Sequence, residues 1–212
     1  MSEKIQIAVL GGTFDPVTAG HIQIMFLLCQ MKRFSKVLIV PSGRRSDKKK
    51  VATPQQILTM LKLAISSLPE EFREKVVINE RDLFRENTPT AELMRFLYIE
   101  EYPREQYELY FVVGGDLVEP LERFHGKSQI TGNWYRGKVL WDENKFVIVP
   151  RAGYADPHSF LLDEEKCVIL PEAPIDTSST MVRENRKQGK EWMHLVQDQA
   201  LIEFISYNEL YL

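Results

Sequence analysis

The sequence predicts an α/β chain, a doubly wound parallel sheet with helices on both faces and a helical segment at its C-terminus. Short apolar runs rich in Val, Ile and Leu alternate with longer amphipathic ones, the order that builds strand–helix–strand units. Those short runs are continuously apolar, as strands covered on both faces must be. Hydrophobic residues make up 44% and charged residues 27% of the 212 positions, enough apolar surface for a core without disulfide or metal staples.

Taken in order, Ile5 to Leu10 reads as a buried strand ending at Gly11-Gly12. From Thr18 to about Met31, the residues Ile22, Met25, Phe26 and Cys29 recur at helical spacing. Val37 to Val40 is a second strand, stopped by Pro41. A helix beginning near Pro54 and running to Ser67 has Ile57, Leu61, Ala64, Ile65 and Leu68 on one face. Val76 to Ile78 gives a third strand, Thr90 to Tyr98 a helix, and Tyr110 to Val113 a fourth strand ending at Gly114-Gly115. Phe146 to Val149 and Cys167 to Leu170 complete the set. In such sheets ligands bind beyond the carboxyl ends of the strands, so function is sought after Leu10, Val40, Val113 and Val149. Residues 125–144 fit the pattern least. Gly126, Gly132 and Gly137 interleave there with Trp134, Tyr135 and Trp141, which predicts a loop or hairpin insertion. With no repeat, low-complexity tract or linker, residues 1–212 read as one domain.

Thirty acidic against 27 basic side chains give a net charge of −3, which argues against a nucleic-acid coat protein. The two cysteines, Cys29 and Cys167, form no CxxC pair and predict neither a zinc knuckle nor a disulfide framework. No protein metal site is expected, since His125, His158 and His194 lack ligand spacing. Met1 to Lys4 lead straight into the first strand, and Ile22 to Met31, the longest nearly uncharged apolar stretch, is about half a membrane span. The expectation is a reduced, cytoplasmic protein with no membrane partner.

Two segments carry the chemistry. After the first strand comes Gly11-Gly12-Thr13-Phe14-Asp15-Pro16-Val17-Thr18-Ala19-Gly20-His21. Its glycines let a phosphate approach the backbone, and the helix that follows opens with unpaired N–H groups and a positive dipole end. Thr18 is placed to cap that helix. His21, three residues on, faces the same side of the first turn and is suited to donate to phosphate oxygens. A Gly-Gly pair or a histidine standing alone would mean no more than a turn and a surface side chain.

Near the C-terminus stands Asp176-Thr177-Ser178-Ser179-Thr180-Met181-Val182-Arg183. Small hydroxyl side chains cap a helix there, the exposed amides suit an anion, and Arg183 one turn in adds a forked donor set.

The first segment resembles the GxFDPxxxGH signature of the nucleotidyltransferase superfamily whose core motif is (H/T)xGH, with Thr18 to His21 as its threonine version. The second resembles that superfamily's ISSTxxR motif, with Thr177 in place of the isoleucine. More narrowly, the chain is similar to the nicotinate/nicotinamide mononucleotide adenylyltransferases. Gly114-Gly115-Asp116 matches their Gly-Ala-Asp turn, Arg151-Ala152-Gly153-Tyr154 their Arg-Pro-Gly-Tyr stretch, and Asn87 to Glu92 their threonine-bearing segment. Leu195 to Tyr211 resembles their terminal helix. Departures lie after the second strand, where Pro41-Ser42-Gly43-Arg44 leads into a basic run, at Phe124, which replaces a stacking tryptophan, and at Ile57, which replaces an arginine.

The resemblance implies a Rossmann-like fold and transfer of AMP from ATP to a pyridine mononucleotide, with release of pyrophosphate. Under it His21, assisted by Thr18, stabilises the α-phosphate, and Arg183 with Ser178, Ser179 and Thr180 holds the β/γ-phosphates. Gly11, Gly12, Thr13 and Phe14 give backbone contacts near the phosphates, and Gly114 and Asp116 grip the adenosine ribose. Thr13, Phe14, Thr90, Phe124 and Arg151 fall to the mononucleotide. Mg²⁺ is bound mainly through the ATP phosphates. The basic run is either a solvated loop or a clamp for phosphate, with Lys48 as the assigned contact and Arg44 and Arg45 as the alternatives. Asp15 orients its loop, approaches a magnesium-bound water, or simply forms the turn before Pro16. Nicotinate and nicotinamide acceptors stay open, as does a homo-oligomeric state. Two rival functions are a nucleotidyltransferase acting on phosphopantetheine, flavin mononucleotide or a phosphoalcohol, and a non-catalytic nucleotide sensor.

Overall fold

A computed structural model describes residues 3–44, 51–160 and 162–212. Its sheet has six strands: β1 (Ile5–Gly12), β2 (Phe34–Pro41), β3 (Val76–Ile78), β4 (Tyr107–Gly114), β5 (Lys145–Val149) and β6 (Cys167–Ile169). Their order is β3-β2-β1-β4-β5-β6, so the chain steps outward from β1 to one edge and then returns to build the other half. The pairs β1–β4, β4–β5 and β5–β6 are parallel, with Ile7 opposite Leu109, Val112 opposite Val147 and Val147 opposite Val168. Ile7 to Leu10, Val37 to Val40, Leu109 to Val113 and Phe146 to Val149 are all buried, as their unbroken apolar runs predict.

The chain forms two compact units. The first holds residues 1–10, 31–38 and 88–174; the second holds residues 11–30, 39–87 and 175–212.

In the first unit lie β4, β5, β6 and four helices: α4 (Thr90–Phe96), α5 (Gly115–Val118), α6 (Gln129–Asn133) and α7 (Gly137–Glu143). The helix expected over Thr90 to Tyr98 ends in a π-helical turn at Leu97–Glu101, where the Tyr98 hydroxyl accepts from the Leu109 amide at 2.9 Å. The loop or hairpin expected over residues 125–144 is corrected to the two short helices α6 and α7. Ile130 and Leu140 anchor them in the core, and Trp141 stacks on Phe146 with ring centroids 4.5 Å apart. Gly137 opens α7 because any Cβ there would lie 1.8 Å from the Ile130 carbonyl oxygen.

The second unit holds α1 (Ala19–Gln30), α2 (Pro54–Ser66), α3 (Glu70–Arg73), β3, α8 (Ser179–Lys187) and α9 (Gln199–Tyr207). Helix α2 starts on a capping box: the Thr53 hydroxyl accepts from the Gln56 amide at 3.2 Å, and the Gln56 side chain accepts from the Thr53 amide at 2.8 Å. Ser178 and Asp198 cap α8 and α9 in the same way, accepting from the amides of Met181 and Leu201. Among the described residues no helix is long and apolar enough to cross a membrane.

Candidate active site

The second unit brings the two chemistry-bearing segments together. Gly11 and Gly12 end β1, and Gly12 is required by crowding: a Cβ there would lie 2.9 Å from the Phe14 ring. The chain then turns through Phe14, whose φ of 50° is left-handed. The Phe14 side chain is 0% exposed and meets the His21 ring edge-on, with centroids 5.1 Å apart. Its ring braces the imidazole, which leaves its backbone for the contact expected of Gly11 to Phe14.

Asp15 orients the loop, the first of the roles expected of it. Its carboxylate is 3% exposed and accepts from the Val51 amide at 2.8 Å, the Ala52 amide at 3.1 Å and the Tyr211 hydroxyl at 2.8 Å. Burial, reinforced by the neighbouring Asp15 charge and hydrogen bond, pushes the Tyr211 phenol far above its ordinary value. Tyr211 is therefore a permanent donor. No local motif marks this residue; only the fold brings it to position 15.

Thr18 does not cap α1 with its side chain, which is turned to His21 instead. It precedes α1 as a cap would, but its hydroxyl lies 2.9 Å from His21 Nδ1, and its backbone amide donates to the same nitrogen at 3.1 Å. The cap is supplied from the other segment: Thr177 Oγ1 accepts from the Gly20 amide at 3.0 Å. Thr177 also donates to Thr18 Oγ1 at 3.1 Å. Thr18 is itself 0% exposed, so it acts through His21 instead of touching a ligand. Gly20 is small because this segment passes close by: a Cβ at position 20 would lie 2.7 Å from the Ile175 carbonyl and 2.8 Å from Thr177 Oγ1.

Helix α8 is fastened to the same loop. Ser179 Oγ donates to the Pro16 carbonyl at 2.7 Å, and Arg183 Nη1 donates to the Asp15 carbonyl at 2.6 Å. Arg183 Nη2 donates to Thr180 Oγ1 at 3.1 Å. Arg186, one turn on, donates to the Leu210 carbonyl and so ties down the tail that carries Tyr211. The result is one half-buried surface with the His21 imidazole, the Arg183 guanidinium and the first amides of two helices. Such a set binds and polarises phosphate.

In the first unit Gly114 ends β4, and Asp116 lies in the following turn of α5. Arg151 Nη1 sits 3.3 Å from both Asp116 carboxylate oxygens. Gly114 must be small here, since a Cβ would lie 2.2 Å from Asp116 Oδ1. Asp116 and Tyr154 line a cavity of about 480 Å³ with Glu119, Glu122 and Arg123. Thr90 is the first residue of α4, and Phe124 is half-buried with the Arg123 guanidinium 5.0 Å from its ring centroid. Trp134 packs edge-on against Phe111 at 6.5 Å.

Of the basic run, Arg44 is exposed and lies 3.7 Å from Glu86. Arg45 and Lys48 fall outside the described residues. Thr13 is half-buried between Gly12 and Phe14.

Comparison with known proteins gives the family. The cytidylyltransferase-like family profile matches residues 9–185. A probable nicotinate-nucleotide adenylyltransferase of Dehalococcoides mccartyi is 30% identical, with 98% of each chain covered. One of the same name from Oceanobacillus iheyensis is 30% identical over 97% of this chain and 96% of its own. Plasmodium falciparum nicotinic acid mononucleotide adenylyltransferase, solved in complex with NaAD, shares the fold with a TM-score of 0.77 at 20% identity, covering 98% of this chain and 97% of that one. The chain belongs to the cytidylyltransferase-like family of nucleotidyltransferases, within its nicotinate-nucleotide adenylyltransferase branch.

Proposed function

We propose that this chain transfers AMP from ATP to nicotinate mononucleotide, forming the dinucleotide and pyrophosphate. The observation that carries the reading is the joining of the His21 and Arg183 segments through Thr177–Thr18, Ser179–Pro16 and Arg183–Asp15. The relatives named for nicotinate-nucleotide adenylyl transfer support the acceptor.

In this reaction a 5′-phosphate oxygen of the mononucleotide attacks the α-phosphorus of ATP. The bond from that phosphorus to its bridging oxygen breaks, and the oxygen leaves with pyrophosphate. The attacking group is already an anion, so no protein nucleophile or strong base is called for. Catalysis then consists of alignment and charge neutralisation by donors fixed before the substrate arrives. His21 donates to the α-phosphate oxygens. Arg183, with the amides at the start of α8, holds the β/γ-phosphates. Thr13 and the backbone of Gly11 to Phe14 face the phosphates and the mononucleotide. Asp116 accepts from the ribose hydroxyls, and Arg151, Phe124 and Thr90 serve the mononucleotide.

ATP would enter as its magnesium complex. The loop's own carboxylate, Asp15, already accepts three protein donors. Mg²⁺ would then be held mainly through the nucleotide's phosphate oxygens and water, and would neutralise charge on the phosphates. The buried thiols of Cys29 and Cys167, both pushed up to about 11 by burial, are inert and suit a reducing, cytoplasmic setting.

The test is pyrophosphate release with ATP, Mg²⁺ and a panel of acceptors. Release with nicotinate mononucleotide well above that with nicotinamide mononucleotide, phosphopantetheine or flavin mononucleotide is expected. Preference for another acceptor overturns the substrate, and nucleotide binding without turnover on any of them overturns the enzyme.

A further inference from the structure

We infer that Thr177 is a positioning residue, holding His21 through Thr18 in the tautomer that keeps the ring proton on Nε2. The inference rests on the reading of His21 as a phosphate donor.

A backbone N–H can only donate, and that of Thr18 meets His21 Nδ1 at 3.1 Å. In the neutral ring, Nδ1 is therefore the acceptor and the proton sits on Nε2. The Thr18 hydroxyl, 2.9 Å from the same nitrogen, must then also donate to it. That uses its only proton and leaves its lone pairs to accept. Thr177 Oγ1 donates to them at 3.1 Å, and its own oxygen accepts the Gly20 amide at 3.0 Å. Three bonds thus run in one direction: Gly20 amide to Thr177, Thr177 to Thr18, Thr18 to His21.

The Gly20 amide lies in the first turn of α1, where no intrahelical acceptor exists. It pins the Thr177 oxygen as an acceptor, so the Thr177 proton is left to turn toward Thr18. Such a chain is self-reinforcing, because each bond polarises the next. An isoleucine, as in the motif this segment resembles, has no hydroxyl with which to join it. The orientation of the imidazole is thus set by a residue 159 positions away from the threonine it contacts.

The test compares Thr177→Val, which keeps the shape and removes the hydroxyl, with Thr177→Ser, which keeps the hydroxyl. The first readout is ¹⁵N-resolved NMR of the imidazole rings without substrate, at a pH where histidines are neutral, with His21 assigned by His21→Asn. The wild type should show Nε2 protonated and Nδ1 as a hydrogen-bonded acceptor. Thr177→Val should weaken the Nδ1 hydrogen-bond signature, and Thr177→Ser should restore it. The second readout is kinetic. Thr177→Val should lower kcat by roughly 5- to 30-fold, the loss of about one hydrogen bond, with KM for ATP changed less than about threefold. Thr177→Ser should recover most of that loss.

A wild-type ring protonated on Nδ1 overturns the inference. So does a Thr177→Val variant that only unfolds at lower temperature, with kcat and the Nδ1 signal unchanged. If the wild type releases no pyrophosphate with nicotinate mononucleotide, the proposed function fails, while the NMR readout, which uses no substrate, still decides the role of Thr177.

Discussion

Arg183 donates through Nη1 to the backbone carbonyl of Asp15 at 2.6 Å, across 168 positions of sequence. The bond links the helix that carries the guanidinium to the loop that leads to His21. Ser179 repeats the link one residue along, at Pro16. Arg183 is thereby tied directly to the other segment, and His21 indirectly through Thr18 and Thr177, so in the proposed reaction neither must reorganise when charge develops on a leaving pyrophosphate.

His21→Ala removes the donor assigned to the α-phosphate. The variant should lose about two to four orders of magnitude in kcat, equivalent to roughly 3–5 kcal/mol of transition-state stabilisation. Steady-state pyrophosphate release checks this. Turnover near that of the wild type would remove His21 from the mechanism.

Tyr211→Phe deletes one of three donors to the buried Asp15 carboxylate while keeping the ring. The carboxylate is left with two amide donors. A loss of about 1–3 kcal/mol of stability is expected, read by urea unfolding. No change in the unfolding midpoint would mean that the tail does not hold the loop.

Gly20→Ala sets two effects against each other. Alanine in a helix gains about 1 kcal/mol over glycine. Here its Cβ would sit 2.7 Å from the Ile175 carbonyl and 2.8 Å from Thr177 Oγ1, and backbone cannot yield cheaply. The clash, worth about 1–3 kcal/mol, should win, giving a lower melting temperature together with lower kcat. A stabilised variant would contradict the close approach of the two segments.

Glu108, Tyr110 and Lys145 in the first unit give a pH signature unrelated to catalysis. Burial raises the Glu108 carboxyl, but the hydrogen bonds from Lys145 and Tyr110 and the ammonium charge outweigh it, and its pKa falls below the ordinary 4.5. A carboxyl with a depressed folded pKa adds stability that is present in full above its unfolded value. That contribution is lost as pH falls through the folded one. Burial lowers Lys145, yet its bond to Glu108 and the nearby Tyr110 and Glu108 charges raise it above 10.5, so its contribution is lost only in strong alkali. Unfolding of Glu108→Gln between pH 6 and pH 3 should show a shallower loss of stability on acidification than the wild type. Parallel curves would mean that Glu108 is not held by these partners.

The sheet was legible because its strands are buried on both faces and therefore read as unbroken apolar runs, from Ile7-Ala8-Val9-Leu10 to Phe146-Val147-Ile148-Val149. The glycine loop, His21 and the Ser178 to Arg183 segment stand out in the sequence because small residues and donors at a helix start, the set that suits phosphate, form a local pattern. What stayed hidden depends on contacts between distant segments. Nothing near position 177 says that its hydroxyl caps α1, and nothing near Tyr211 points to Asp15. Thr18 carries a capping residue's sequence signature, yet the His21 ring competes for its hydroxyl at 2.9 Å. Helices α6 and α7 escaped notice because five and seven residues are too short to show a period, and glycines within and before them read as turns.

Whether one nucleotide is held by both segments is measured directly by the structure of the protein with a non-hydrolysable ATP analogue and Mg²⁺. The prediction is His21 Nε2 within hydrogen-bond distance of an α-phosphate oxygen, and the Arg183 guanidinium on the β- or γ-phosphate of the same molecule. A polyphosphate bound against one of these side chains and away from the other would contradict it.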